Sequence, residues 1–179
     1  MLRRLYVIGG LSRTGKSKIA RHIGSSLENL LILGTDAFRP NGNDTLAWLN
    51  LVDYLTKNKF NSDVLIEGVA ITPEKVNQLN LVEFSSKAVF LGFGRESHAN
   101  SILTHAEREK ANDWLYIELQ AGRYTEAGIR NSMKGGIEES TKLKREAEKY
   151  GYGYFDITDY MNFDEYIRNV TNYLLNEKS

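Results

Sequence analysis

The 179-residue chain contains no cysteine and only two prolines. The missing cysteines exclude a disulfide scaffold, a thiolate zinc site, an iron–sulfur cluster and a catalytic thiol, and they favour a cytoplasmic location. No apolar run is long enough for a membrane span or a signal peptide. A chain of this length buries roughly 70% of the surface that it exposes when unfolded. One compact domain over residues 1–179 is therefore expected without covalent or metal cross-links.

Net charge is also lacking, because 23 Lys and Arg residues balance 23 Asp and Glu residues. The chain as a whole therefore lacks the positive field of a nucleic-acid-binding protein, and neither nucleic acid nor a membrane is a predicted partner. Basic residues are nevertheless concentrated in the first 60 residues. This asymmetry fits a small anionic ligand near the front of the chain, or a chance fluctuation of charge. No feature of the sequence specifies an oligomeric state.

Short apolar runs alternate along the chain with longer helical patterns, which indicates βαβ units and a parallel sheet. Each run is almost wholly apolar, as expected for strands that are covered by helices on both faces. The pattern predicts an α/β fold of three layers. Five strands are predicted, at Leu5–Ile8, Leu30–Leu33, Val64–Glu67, Ala88–Gly92 and Tyr154–Ile157.

The connection between the fourth and fifth predicted strands, residues 93–150, is much longer than the others, and we call it the excursion. Glycines punctuate it, including the pair Gly135 and Gly136, so two or three helices with flexible joints are predicted. About residues 112–137 would form a lid-like helical insertion. A separate, solvated helix would follow over Glu138–Lys149, where opposite charges recur four residues apart.

The first predicted strand runs directly into Gly10–Ser17, which matches the pattern G-x-x-x-x-G-K-[ST] and is followed by an amphipathic helix. We call this segment the P-loop. Its glycines let successive N–H groups point inwards and form an anion-binding nest at the positive end of the helix. Lys16 would reach the β- and γ-phosphates of a nucleotide, and Ser17 would offer its hydroxyl to Mg²⁺. The predicted nucleotide-binding residues are Gly10, Ser12, Arg13, Thr14, Gly15, Lys16 and Ser17.

Two other predicted strands are followed by polar residues. The third ends in Glu67, which suits a carboxylate held beside Mg²⁺, although a surface acid without a function is the alternative. Asp36 and Arg39 follow the second strand, and ligands bind at the carboxyl ends of parallel strands. Asp36 could accept the proton of a substrate hydroxyl, and Arg39 could hold an anionic or polar substrate group. Alternatively, Asp36 caps a turn and pairs with Arg39.

Together these residues resemble the small P-loop kinases, the group that includes nucleoside monophosphate kinases, shikimate and gluconate kinases, 2-phosphoglycerate kinase and chloramphenicol phosphotransferase. The resemblance rests on the P-loop, on Gly34–Arg39, on Ile66–Gly68 and on the excursion, where that family carries its lid. The chain looks most similar to the members like 2-phosphoglycerate kinase and chloramphenicol phosphotransferase. The resemblance implies a P-loop NTPase fold with five parallel strands, and ATP and Mg²⁺ as cofactors. It also implies that Asp36 lies near the acceptor hydroxyl and Glu67 near Mg²⁺.

The excursion contains few arginines, whereas many members of this family close an arginine-rich lid over the phosphates. Arg123 and Arg130 are the predicted catalytic arginines, because Gly122 and Gly128 would let this segment move. Solvated helix charges are the alternative. Any of the four arginines that precede the helix predicted over Glu138–Lys149 could serve: Arg95, Arg108, Arg123 and Arg130.

A second departure from the family is Gly34, which replaces an acid that some relatives carry two residues before Asp36. It leaves open how metal binding and base catalysis are divided between Asp36 and Glu67. The predicted activity is ATP-dependent transfer of the γ-phosphoryl group to a hydroxyl of a small molecule, with Lys16 and Asp36 among the catalytic residues. The alternative is a nucleotide-binding regulatory ATPase or switch without such an acceptor. A kinase of a cell-wall nucleotide sugar would differ only in its acceptor.

Overall fold

The computed structural model of the chain describes residues 2–95, 97–157 and 162–176. Its centre is a parallel sheet of five strands in the order β2-β3-β1-β4-β5, so all five predicted strands are confirmed. Only β4 begins clearly earlier than predicted, because its first residues are partly exposed and polar and give no apolar run. The strands are β1 (Arg3–Gly10), β2 (Leu30–Gly34), β3 (Asp63–Glu67), β4 (Phe84–Gly92) and β5 (Gly153–Asp156).

Helices cover the sheet and connect its strands. The Asn43 side chain caps α2 by accepting a hydrogen bond from the backbone N–H of Leu46 at 3.0 Å, and Thr72 caps α3 in the same way. No helix among the described residues has the length and apolarity needed to cross a bilayer. The helices are α1 (Lys16–Ser26), α2 (Asp44–Lys57), α3 (Pro73–Gln78), α4 (Ser97–Glu109), α5 (Trp114–Gln120), α6 (Glu126–Lys149) and α7 (Phe163–Leu175).

Two apolar cores lie on the two faces of the sheet, which completes the three layers that the sequence predicts. Alternate residues of β1 supply both, since Leu5 and Val7 join one core while Tyr6 and Ile8 join the other. The first core also contains Trp48 and Leu51 of α2. The second takes buried apolar residues of α1, α4, α5 and α7 and of the first half of α6. The carboxyl end of β1, and with it the P-loop, is thereby fixed between two packed layers.

Helix α6 runs without a break through Gly135 and Gly136, so the predicted flexible joint there is wrong. Gly136 packs directly against Phe93 at the end of β4, and a Cβ atom at this position would lie only 2.4 Å from Phe93 Cζ. One turn later, the backbone N–H of Phe93 donates to Ser140 Oγ at 2.9 Å. The glycine permits a close approach of helix and sheet rather than movement. Residues 138–149 are the second half of this helix, not a separate one.

Candidate active site

The P-loop joins the end of β1 to the start of α1 and depends on two glycines with positive φ. Gly10 has φ +122°, and a Cβ atom there would lie 2.1 Å from the Leu91 carbonyl oxygen. Gly15 has φ +82°, and its Cβ atom would lie 2.0 Å from Phe163 Cζ. Both positions therefore exclude any side chain, on conformational and on steric grounds. The turn between β1 and α1 thus requires glycine at both of these positions of the motif.

Lys16, the first residue of α1, is almost fully buried, with 7% of its surface exposed. Its Nζ donates to the Leu11 carbonyl oxygen at 2.5 Å, and Thr14 Oγ1 donates to the same oxygen at 2.8 Å. Burial lowers the pKa of Lys16 to about 8, although the carboxylates of Glu67 and Asp36 oppose the shift. A cation with little hydration is thus held at the floor of the loop, where it can attract an anion strongly.

Ser17 and Glu67 form the candidate metal-binding pair. Ser17 Oγ donates to Glu67 Oε1 at 3.0 Å, because β3 lies beside β1 and places Glu67 level with Ile8. Burial raises the pKa of Glu67. Among the described residues no three histidine, cysteine, aspartate or glutamate side chains form a cluster that could hold a metal alone. A hydroxyl beside one carboxylate fits a Mg²⁺ ion that takes its remaining ligands from phosphate and water.

Asp36 and Arg39 lie beyond the end of β2, in a short 3₁₀ segment over Thr35–Phe38 and the residue after it. The Arg39 guanidinium is within 3.0 Å of Asp36 Oδ1 and 2.7 Å of Asp44 Oδ1. These contacts are ion pairs without aligned hydrogen bonds, since Arg39 Nη2 has no hydrogen-bond partner. The structure thus contains the alternative pairing of Asp36 with Arg39, as an ion pair without a hydrogen bond. It still leaves the Asp36 side chain 82% exposed.

Gly34 faces the Glu67 carboxylate across two neighbouring strands. A Cβ atom at position 34 would lie 3.1 Å from Glu67 Oε1, so any acid at position 34 would crowd this carboxylate. The missing acid thus has a physical explanation, because Glu67 fills the space beside Gly34.

These groups share one cleft of about 760 Å³ at the carboxyl edge of the sheet. Eight of the predicted site residues line it and are thus brought together: Ser12, Arg13, Gly15, Lys16, Ser17, Asp36, Arg39 and Glu67. A further wall comes from the end of α4 and the turn that follows, of which the sequence analysis considered only Arg108. That wall is formed by His105, Arg108, Glu109, Asn112 and Asp113.

The arginines of the excursion are distributed differently from the prediction. Arg123 makes a bidentate pair with Glu118, at 2.6 and 2.7 Å, and Arg130 contacts Asn100 and Glu126. Neither of them lines the cleft, whereas Arg108 does. Of the four excursion arginines considered, Arg108 is the one that lines the cleft, where it pairs with Glu109 at 3.0 Å. A role for Arg123 or Arg130 in phosphoryl transfer stays a prediction.

Comparison with solved structures places this geometry among known folds. The chain is similar to a shikimate kinase from Bacteroides thetaiotaomicron, with a TM-score of 0.59 and 13% identity over 94% of this chain and 97% of that one. It is also similar to a gluconokinase from Sinorhizobium meliloti, with a TM-score of 0.55 and 17% identity over 97% and 92% of the two chains. The chain has the fold of the small P-loop kinases. No family model matches the sequence, and no curated protein does.

The chain is likewise similar in fold to a shikimate kinase from Acinetobacter baumannii that was solved in complex with shikimate. Its TM-score is 0.54, with 17% identity over 96% of this chain and 92% of that one. The similarity extends over nearly the whole of both chains. At these identities the comparison defines the fold alone.

Within this P-loop, Arg13 adopts a left-handed conformation with φ +63°, which is costly for a residue with a side chain. Its guanidinium lies 5.0 Å from the ring centre of Trp114 on α5. No spacing in the sequence links these two residues, because the contact is tertiary. The excursion therefore touches the P-loop at Arg13.

Proposed function

We propose that the protein is an ATP-dependent phosphotransferase that moves the γ-phosphoryl group to a hydroxyl of a small molecule. The observation that carries the proposal is the cleft itself. A complete P-loop with a buried lysine and the exposed carboxylate of Asp36 line the same cavity, and the Ser17–Glu67 pair also faces it. A donor site, a metal site and a carboxylate for the acceptor are the parts that phosphoryl transfer needs.

The donor would be ATP held by the P-loop. The loop N–H groups and Lys16 would bind the β- and γ-phosphates, and Ser17 and Glu67 would hold Mg²⁺. When bound, Mg²⁺ supplies charge neutralisation at the phosphate oxygens. Glu67 is the better candidate for the metal because it already bonds Ser17 Oγ. This assignment leaves Asp36 for the acceptor.

Asp36 would orient the acceptor hydroxyl and take its proton. The acceptor oxygen forms a bond to the γ-phosphorus while the bond from that phosphorus to the β,γ-bridging oxygen breaks, and ADP leaves. The carboxylate needs access to the substrate, and its 82% exposure provides it. Arg39, held by Asp36 and Asp44, would contact a polar group of the acceptor. The work of the protein is then alignment and charge stabilisation.

The charge that develops in transfer would be stabilised by Arg108, the excursion arginine that lines the cleft. We expect Arg108→Ala to lower kcat by about 10²-fold, since removing one donor to a developing charge has an effect of this order. Arg123→Ala and Arg130→Ala are matched variants from the same excursion. Steady-state kinetics with the three proteins would identify the arginine that acts. A larger loss with Arg123→Ala would contradict the assignment and would require that Arg123 leave Glu118.

The affinity for Mg·ATP should fall as pH rises through the pKa of Lys16, which is about 8 in the free protein. Phosphate binding favours the charged amine, so binding is linked to proton uptake above this pH. We expect the Kd to rise about twofold between pH 7 and pH 8 and then to approach a tenfold increase per pH unit. Titration calorimetry between pH 7 and 9.5 measures it. Lys16→Arg should flatten the dependence, and an equally flat profile in the native protein would contradict it.

The test of the proposed function is incubation of the protein with Mg²⁺ and γ-labelled ATP in a small-molecule cell extract, with labelled products resolved by mass. A new labelled metabolite that requires both Lys16 and Asp36 is the expected result. It would also define the chemical class of the acceptor.

The alternative is a regulatory ATPase, and one observation favours it: Asp36 already pairs with Arg39 in the manner of a turn-stabilising residue. In that case label would pass only to free phosphate or stay in ATP. Replacement of Asp36 would then leave the nucleotide reaction almost unchanged.

A further inference from the structure

We propose that the side chain of Arg13 binds the phosphates of the nucleotide together with Lys16, and that Trp114 on α5 is the positioning residue that holds it at the rim of the cleft. The inference rests on the proposed binding of ATP at the P-loop, and it assigns a further cation to that site. The backbone of Arg13 is part of the P-loop, whereas the inference concerns its guanidinium.

The backbone of Arg13 shows that the loop keeps a side chain here at a cost. Its φ of +63° lies in the left-handed region, where glycine is favoured over residues with a side chain. Gly15, two residues later, also has a positive φ and meets this requirement. Strained residues of this kind cluster at sites of binding and catalysis. The guanidinium at position 13 is therefore a feature that calls for a function.

The position of Arg13 suits contact with phosphate. Arg13 lines the same cleft as Lys16. Lys18 and Arg21 of α1 line it as well, so the P-loop and the first turns of α1 present four cations to the cleft. Concentrated positive charge attracts a polyanion such as a triphosphate. Among these cations an arginine offers a planar fork that binds two phosphate oxygens at once.

The ring of Trp114 lies against the Arg13 guanidinium. The guanidinium carbon is 5.0 Å from the ring centre, within the range of a cation–π interaction. Trp114 in turn packs edge-on against Tyr124, with ring centroids 5.6 Å apart. An aromatic ring restrains a guanidinium without neutralising its charge. This contact therefore positions Arg13 and leaves its charge to act on a phosphate.

The first turn of α5 fixes Trp114 at the rim of the cleft. Asp113, which lines the cleft, caps this helix, because its Oδ1 accepts a hydrogen bond from the backbone N–H of Leu115 at 2.7 Å. Leu115 is completely buried in the second core. Trp114 lies between them in the chain and is 55% exposed, so it adds little to the core. A large exposed ring between a cap and a core residue suits a platform for Arg13.

The decisive experiment measures binding of the Mg²⁺ complex of a non-hydrolysable β,γ-imido ATP analogue by titration calorimetry. Arg13→Gln removes the charge but keeps a side chain, and we expect its Kd to rise about 10- to 100-fold. Arg13→Lys keeps a charge without the fork and should stay within about fivefold of the native protein. Arg13→Gly should bind as weakly as Arg13→Gln without a loss of melting temperature, because glycine accepts the positive φ. Arg3→Ala, at the other end of β1, is the control and should bind normally.

Trp114 is tested through its dependence on Arg13. Trp114→Leu should raise the Kd about 2- to 5-fold, and Trp114→Phe, which keeps a ring, should recover part of this loss. In an Arg13→Gln background Trp114→Leu should have no further effect, because the ring then has no cation to hold. Equal effects of Trp114→Leu in both backgrounds would overturn the role of Trp114, since they would show that the ring only stabilises α5.

Inorganic tripolyphosphate separates contact with phosphate from contact with the base or ribose. In the presence of Mg²⁺ it should bind to Arg13→Gln more weakly than to the native protein, by about the same factor as the nucleotide. An effect of Arg13→Gln on the nucleotide but not on tripolyphosphate would overturn the assignment of Arg13 to the phosphates.

The outcomes separate this inference from the proposed function. If the native protein does not bind the nucleotide, or if Lys16→Ala binds it as well as the native protein does, the proposed function fails. If the native protein binds and Arg13→Gln has a Kd within twofold of it, the role of Arg13 is overturned. Arg13→Lys binding no better than Arg13→Gln would also overturn it, because charge would then not be the cause. Should Arg13→Gln fail to fold, native-like binding by Arg13→Gly would overturn the proposal.

Discussion

Lys16→Ala should abolish phosphoryl transfer, with a loss of at least about 10³-fold in kcat/KM. The amine is the most buried cation of the cleft and lies at the floor of the P-loop. There its interaction with phosphate is only weakly screened by solvent, and it would neutralise charge on the group that is transferred. Initial rates of ADP formation with a working acceptor measure the effect.

The fold should survive this substitution. Burial already opposes the charged form of Lys16, so the variant loses a costly group together with one hydrogen bond to the Leu11 carbonyl. A melting temperature within a few degrees of the native value is expected. Lys57→Ala is the matched control, because this exposed lysine of α2 pairs with Asp53 away from the cleft. Normal transfer by Lys16→Ala would exclude the kinase assignment.

Asp36→Asn should lower kcat by about 10²- to 10⁴-fold, the usual contribution of a general base. Asparagine has nearly the same shape and retains an oxygen for Arg39, but it does not take a proton at neutral pH. The Kd for Mg·ATP should change less than about threefold, because the Ser17–Glu67 pair and the P-loop are left intact. Pre-steady-state measurement of the transfer step, beside calorimetric binding of ATP, separates the two effects.

Asp44→Asn is the informative comparison, since Asp44 is the other carboxylate on Arg39, at 2.7 Å. If Asp36 only positioned Arg39, the two variants would have similar kinetics. We expect instead that Asp44→Asn mainly changes the KM of the acceptor, through Arg39, and leaves most of kcat. Equal losses of kcat in both variants would assign Asp36 to the turn and would favour the regulatory ATPase.

The parallel sheet and the P-loop follow from local sequence. Strands buried on both faces must be apolar almost throughout, so runs such as Val64–Glu67 are visible without any knowledge of the fold. The P-loop carries its constraint in its own residues, because the left-handed turns and close contacts of Gly10 and Gly15 admit only glycine. In both cases the physical requirement acts on residues that are adjacent in the chain.

The excursion was harder to predict because its constraints come from distant residues. Gly136 lies inside an unbroken helix and packs against Phe93. In the sequence alone, however, a pair of adjacent glycines indicates a flexible joint. Arg108 and Arg123 are both exposed arginines near helix ends, and only the packing of α4 beside the P-loop distinguishes them. The contact of Trp114 with Arg13 joins residues far apart in the chain. Periodicity and spacing contain no information on such pairs.

The continuity of α6 has a mechanical consequence. Its 24 residues make a rod about 36 Å long at 1.5 Å per residue, and contacts at Gly136 and Ser140 anchor its middle to the end of β4. Because α6 is fixed at its midpoint, its first half cannot move unless its second half, which packs on the sheet, tilts as well. A hinge inside α6 is therefore excluded, and the turn between α5 and α6, where Gly122 has open space around it, is a place where the chain can bend. Arg123 lies in that turn and would have to leave Glu118 to move, whereas Arg130 is part of α6 and moves only with the whole helix.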